Sequence, residues 1–257
     1  MKTNTKGIIL AGGSGTRLFP LTKIISKQLL PVYNKPMIYY PLETLVNAGI
    51  KDILIITTEY DQENFIALLG NGDEWGINLT FKIQKYPEGI AQALIIGEEW
   101  INNSKVVLIL GDNLFFGPNF NNLVVDAISK NNGSTIFCKK VPDPHRFGIV
   151  EYDHNFKILS IEEKPKKPKS EFAVTGLYIY DKDCSYYAKT LKKSKRGEFE
   201  ITDLNNIYLS KEKLQSIQLD DNHSWLDTGT FDALLEASNY VKKNNIWLNL
   251  FLKSSFW

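Results

Sequence analysis

Short apolar runs alternate along the chain with longer segments whose apolar residues recur at helical spacing, the pattern of a parallel sheet covered by helices on both faces. Gly7 to Leu10 reads as a first buried strand and Asp52 to Thr58 as a second. Between them a helix is predicted over Pro36 to Ala48, stopped by the C-cap glycine Gly49. Leu79 to Gln84 alternates as a strand, Ala91 to Ile101 suits a helix, and KVVLIL, Lys105 to Leu110, is apolar throughout, as a central strand must be. A helix over Phe120 to Ser129 and a strand over Ser134 to Val141 complete the first half. Beyond Val141 the strands shorten, to Phe147–Tyr152, Ile158–Glu163 and Ala173–Tyr180, with a solvated loop expected over the Pro- and Lys-rich residues 164–170. Helices are predicted over Lys182 to Lys192, Glu200 to Leu209 and Thr230 to Lys242. The predicted fold is α/β: a Rossmann-like, mostly parallel sheet flanked by helices, with a β-rich extension. One domain spans 1–243, in halves 1–141 and 142–243, and a divergent apolar tail follows over 244–257.

Composition narrows the partners. With 30 Lys and Arg against 29 Asp and Glu in 257 residues, the formal charge is +1, without the cationic surplus on which duplex binding depends. No nucleic-acid partner is therefore expected. A hydrophobic content of 43% with 12% aromatic residues also excludes a disordered chain. No segment approaches the ~20 apolar residues of a membrane span. The two cysteines, Cys138 and Cys184, have no metal-type spacing and read as reduced thiols in a cytoplasmic protein.

The first strand runs into LAGGSGTRL, residues 10–18. A dinucleotide fingerprint would need glycine where Leu18 stands, and a Walker loop would need Gly-Lys-Ser/Thr, so hydride transfer and P-loop chemistry are not indicated. What remains is a strand followed by Gly12, Gly13 and Gly15, whose bare backbone can approach phosphate oxygens, with Thr16 and the forked cation of Arg17 beside them.

LAGGSGTRL, with SKQLLPVYNKPMIYYPLETLVNAGI, LGDNLFFG, PHRFGIVEYD, IEEKPKKPKSEFAVTGLYIYD, RGEFEITDLN and WLDTGTFDALLEAS, closely resembles the sugar-1-phosphate nucleotidyltransferases, among them the glucose-1-phosphate thymidylyltransferases. The likeness runs from Gly7 to about Tyr240. It implies that dTTP and glucose 1-phosphate are the substrates, that dTDP-glucose and pyrophosphate are the products, and that residues 1–141 hold the nucleotide and 142–243 the sugar phosphate. A sugar phosphate, with a second pKa of about 6, is already an anionic nucleophile at neutral pH, so the chemistry needs cations and alignment more than a general base. His145, His154 and His223 are accordingly expected on loops or surfaces.

Asp112 follows the KVVLIL strand, at the carboxyl end where open α/β sheets bind ligands. Asp227 lies in WLDTGT. By themselves either aspartate could cap a turn; the resemblance makes them the ligands of Mg2+, which takes one or two protein carboxylates together with substrate phosphates. It further implies that Lys27 and Arg17 neutralise nucleotide phosphates, that Gln28 joins the nucleotide site, and that Lys164 holds the sugar phosphate. Glu163 would accept from sugar hydroxyls, Gln84 and Gly89 would recognise the base, and Gly148 and Val174 would line the hexose. Glu163 and Lys164 are neighbours on a strand and can share a ligand only if the strand bends there. Phe147 stands where relatives often have Tyr.

After Tyr240 the resemblance ends, in an apolar tail expected to be buried against its own domain or a partner subunit. A homo-oligomer is expected. The alternatives are a UTP-using or other hexose-1-phosphate nucleotidyltransferase, and a non-catalytic sugar-nucleotide-binding regulator.

Overall fold

The computed structural model describes residues 5–13 and 15–246; most of the apolar tail, from Trp247 on, lies outside them. In chain order the elements are β1 (Thr5–Ala11), β2 (Pro31–Val32), β3 (Lys35–Pro36), α1 (Tyr39–Asn47), β4 (Asp52–Thr57), α2 (Gln62–Leu69), β5 (Asn78–Ile83), α3 (Gln92–Ile96), α4 (Glu98–Ile101), β6 (Lys105–Leu110), β7 (Asn113–Phe116), α5 (Phe120–Lys130) and β8 (Ser134–Lys140). Then come β9 (Gly148–Tyr152), β10 (Ile158–Glu163), β11 (Phe172–Tyr180), α6 (Cys184–Thr190), α7 (Ile201–Ser210), β12 (Leu214–Leu219), β13 (Ser224–Asp227) and α8 (Phe231–Lys243).

The central strands β4 and β6 are apolar nearly throughout because both faces of the sheet are covered there. Ile9, Ile55, Val107 and Ile109 pack on one side with Leu42 and Leu45 of α1 and Val124 and Ile128 of α5. Ile8, Leu54, Ile56 and Leu108 pack on the other with Leu94 of α3, Ala188 of α6 and Leu204 of α7. The main sheet runs in the order β10-β9-β11-β6-β1-β4-β5, parallel from β6 through β1 and β4 to β5. Of the strands after Val141, β9 to β12 join this sheet: β11 lies antiparallel to β6 over Leu177–Tyr180, and a register shift between Val174 and Tyr178 lets it pair with β8 at both ends. The β-rich part of the chain thus continues the central sheet. Away from it, β7 and β13 form a two-stranded antiparallel ladder that sets Asn113 opposite Asp227. α8 packs behind that ladder through Ala237 and Val241, against Leu114 and Met37.

Several predicted elements appear where the spacing put them, but the helix over Ala91 to Ile101 is divided. Gly97 separates α3 from α4, and a Cβ there would meet Ile8 and Leu54 at 3.2 and 3.3 Å, so that turn lies flat against the sheet. α2, β12 and the β7–β13 ladder had no counterpart in the sequence reading.

Candidate active site

A cavity of about 610 Å³ opens beyond the carboxyl end of β6, within the size range of small-molecule sites. Arg17, Asp112, Gly148, Glu163, Lys164, Val174 and Asp227 all line it. The strand end delivers Asp112 one residue after Gly111, and β13 delivers Asp227 through its pairing with β7. Thr228 is fully buried and ties the two aspartates together: its N–H and hydroxyl both donate to the Asp112 carbonyl, at 3.2 and 2.9 Å.

The two carboxylates differ electrostatically. Burial opposes the charge of Asp112, but the Lys27 ammonium, paired with its Oδ2, and the Asn113 amide, donating to its Oδ1 at 3.0 Å, together hold the group below the usual carboxylate value. Asp227 is pushed above the usual value, by burial first and by the charge of Asp112 second, with Lys27, Arg17 and Arg146 pulling the other way. The site therefore contains two oxygen-donor carboxylates in mutual repulsion, which a bound cation would relieve. Among the described residues no group of three or more His, Cys, Asp or Glu is positioned to hold a metal, so any hard ion here must complete its shell from water or ligand oxygens.

Glu163 and Lys164 both reach the cavity because Lys164 takes a left-handed conformation, φ 44°, at the end of β10. That bend is the one their shared orientation required. Glu163 is held from three sides: Thr202 donates to Oε2 at 2.6 Å, Arg196 donates to Oε1 at 3.1 Å, and the Lys164 ammonium lies 3.6 Å away. The rest of the 164–170 segment is loop.

Other predicted residues lie outside the lining of this cavity and gather around the loop after β1. A Cβ on Gly12 would fall 2.1 Å from Oε1 of Gln84, so the glycine accommodates that amide. Gln84 is buried, donates to Gln92 Oε1 at 2.6 Å, and lies 3.5 Å from the Gly89 carbonyl. Gly89 has φ +102°, and a Cβ there would come within 2.5 Å of the Phe199 carbonyl. Among the described residues Gly13 has open space around it, whereas Gly15, φ +59°, rests against Thr22 and Lys27 and precedes Thr16. Gln28 is buried and accepts from the Ser26 hydroxyl at 2.6 Å.

Among the lining residues that the sequence reading missed, four stand at the carboxylates. Arg146 stands 3.6 Å from Asp227 and over the Phe147 ring, Asn113 joins Asp112 to Trp225, and Thr202 fixes Glu163. Arg146 and Thr202 belong to the PHRFG and EITD motifs and were open to notice there; Asn113 with Trp225 depends on a long-range ladder. Of the histidines, His145 lines the cavity with Nδ1 3.1 Å from the Pro165 carbonyl, His154 is exposed, and His223 meets Asp220 at 2.6 Å away from the site.

Residues 6–244 match the nucleotidyl transferase family. The glucose-1-phosphate thymidylyltransferase of Neisseria gonorrhoeae is 56% identical over 237 residues, covering 92% of this chain and 82% of the relative. That of Mycolicibacterium smegmatis is 53% identical with the same coverage. Among solved structures, a Bacillus anthracis protein assigned as a glucose-1-phosphate thymidylyltransferase, in complex with a sucrose, superimposes with TM-score 0.88 at 41% identity, over 96% of this chain and 98% of that one. A UDP-glucose pyrophosphorylase complexed with UDP-glucose follows at TM-score 0.81 and 27% identity, over 93% and 99%.

Proposed function

The chain belongs to the nucleotidyl transferase family, and on that footing we propose that it transfers a thymidylyl group from dTTP to glucose 1-phosphate, giving dTDP-glucose and pyrophosphate. The observation that carries this reading is the meeting in one cavity of two aspartates, Asp112 and Asp227, with the cations Arg17 and Lys164. Two polyanions must be brought together there, and fixed positive charge opposite developing negative charge is what lowers such a barrier.

In the proposed reaction an oxygen of the sugar phosphate forms a bond to the α-phosphorus of dTTP in line with the α–β bridging oxygen. That bridging bond breaks, and its electron pair leaves with pyrophosphate. The nucleophile is already ionised, so no residue of this chain has to remove a proton from it. Arg17 and Lys27 neutralise nucleotide phosphates, with the backbone of Gly12, Gly13, Gly15 and Thr16 and the Gln28 side chain around them. Gln84 and Gly89 receive the base. Lys164 holds the sugar phosphate, Glu163 accepts from sugar hydroxyls in an orientation supported by Thr202 and Arg196, and Gly148 and Val174 line the hexose. Enzymes of this family generally use a divalent metal; here Asp112 and Asp227 would hold Mg2+, which bound to the triphosphate offsets its charge.

The same reading takes residues 1–243 as one unit, the nucleotide on 1–141 and the sugar phosphate on 142–243. It takes the cytoplasm as the compartment, supported by two buried free thiols and by the lack, among the described residues, of a helix long and apolar enough to cross a membrane. Product analysis with dTTP and UTP against several sugar phosphates tests the proposal. Pyrophosphate and dTDP-glucose from dTTP and glucose 1-phosphate are the expected result; no release at any Mg2+ concentration overturns it, and a preference for UTP moves the assignment toward the UDP-glucose-type relative.

A further inference from the structure

Gly229 sits beside Arg17 and Asp227, both of which line the cavity. A Cβ built on it would lie 2.8 Å from Nη2 and 3.1 Å from Cζ of Arg17, and 3.2 Å from Oδ1 of Asp227. These distances fall inside ordinary van der Waals separation, so the Arg17 guanidinium lies directly on the bare face of this glycine, beside the Asp227 carboxylate.

The backbone around Gly229 has little room to retreat. Asp227 is paired with Asn113 in the β7–β13 ladder. Thr228 is fully buried and bonded through both N–H and hydroxyl to the Asp112 carbonyl, with Met37 Sδ 3.0 Å from the same hydroxyl. Thr230 caps α8, accepting from the Ala233 N–H at 3.3 Å. On the other side, Arg17 is an exposed residue on a single 3-10 turn, and among the described residues its guanidinium makes no hydrogen bond. Its place is set by the seat on Gly229 and by attraction to Asp227.

We infer that Gly229 is a positioning residue: its missing side chain forms the seat that aims the Arg17 guanidinium into the cavity beside Asp227, and a single methyl there turns Arg17 aside while the backbone stays. This rests on the reading of Arg17 as a cation for the nucleotide phosphates. Displacements of this order at a phosphate clamp cost about tenfold or more in rate.

The test is a double-mutant cycle of the parent, Gly229→Ala, Arg17→Ala and the double variant, read by pyrophosphate release and by thermal unfolding. Gly229→Ala should melt with the parent, lower kcat/KM for dTTP about tenfold and leave KM for glucose 1-phosphate unchanged. In the Arg17→Ala background it should cost nothing further. A Gly229→Ala variant with parental kcat/KM, one whose loss is the same in both backgrounds, or one that fails to fold overturns the inference, since it makes the side chain the part that moves. Full turnover by Arg17→Ala overturns the reading of Arg17 itself, and the inference with it.

Discussion

Asp112 and Asp227 share a cavity yet are biased in opposite directions, because one has a buried ammonium paired with it, while the other is shifted first by its burial and second by the charge of Asp112. The charge of Asp112 is favoured by the fold and that of Asp227 is disfavoured. Asp112→Asn leaves Lys27 buried without its partner; breaking such a pair costs up to about 3–5 kcal/mol, and the slight exposure of both side chains, 10% and 14%, sets the expectation at about 3 kcal/mol. Asp227→Asn removes a charge the native state resists, so its stability should equal or exceed that of the parent at neutral pH. The sign follows from proton counting: where Asp227 titrates above an ordinary aspartate, the native chain holds a proton the unfolded chain has lost, so its contribution to stability falls as pH rises. Both variants should lose turnover by about a hundredfold or more. Urea unfolding alongside pyrophosphate release checks the pair, and an Asp227→Asn protein clearly less stable than its parent would refute the like-charge account.

The glycines around the loop after β1 divide between serving the fold and lying open to a ligand, and the neighbouring segments decide which. The loop carrying Gly89 is clipped to the segment before α7: Phe199 N–H donates to the Glu88 carbonyl at 2.7 Å, Ala91 N–H donates to the Phe199 carbonyl at 3.3 Å, and Lys193 pairs with Glu88. With φ +102° and Phe199 in the way, Gly89→Ala should destabilise the protein by about 2 kcal/mol or more. Gly13 faces open space, so Gly13→Ala should melt like the parent while raising KM for dTTP, if phosphates approach its backbone. Equal melting temperatures for the two variants would contradict this division. Legibility of the elements followed the same logic of surroundings. The central strands and α1 and α5 were readable because one pattern of burial runs along each. In α2 only Phe65 and Leu69 are buried, too few to declare a helix, and in β12 only Leu219 is buried while Gln215 is exposed, so neither strand nor helix periodicity stands out.

The molecule as a whole is built around one main sheet with helices on both sides, and burial inside it leaves Lys35 poorly served. Lys35 is buried, its Nζ has no hydrogen-bond partner among the described residues, and the ammonium lies 4.4 Å from the Tyr40 ring centroid. Burial lowers its pKa to about 8, against the charge of Glu43, which raises it. Between pH 8 and the ordinary lysine value of 10.5 the unfolded chain therefore holds a proton that the native chain has released, and stability contributed by this group rises with pH. Lys35→Met should remove that slope when its unfolding free energy is compared with the parent's from pH 7 to 11; parallel curves would refute it. At this level the sequence alone determined what local patterning can carry: the alternation of strands and helices, the glycine loop between residues 10 and 18, and the motifs by which the chain resembles its relatives. Only the tertiary structure decided that the β-rich half extends the central sheet, that Lys27 pairs with Asp112, that Asp227 meets Asp112 from 115 positions away through β7 and β13, and that Gly229 seats Arg17. Periodicity reports which face of an element is buried, while those four contacts depend on strand order and register, and that information resides in the packing of distant segments.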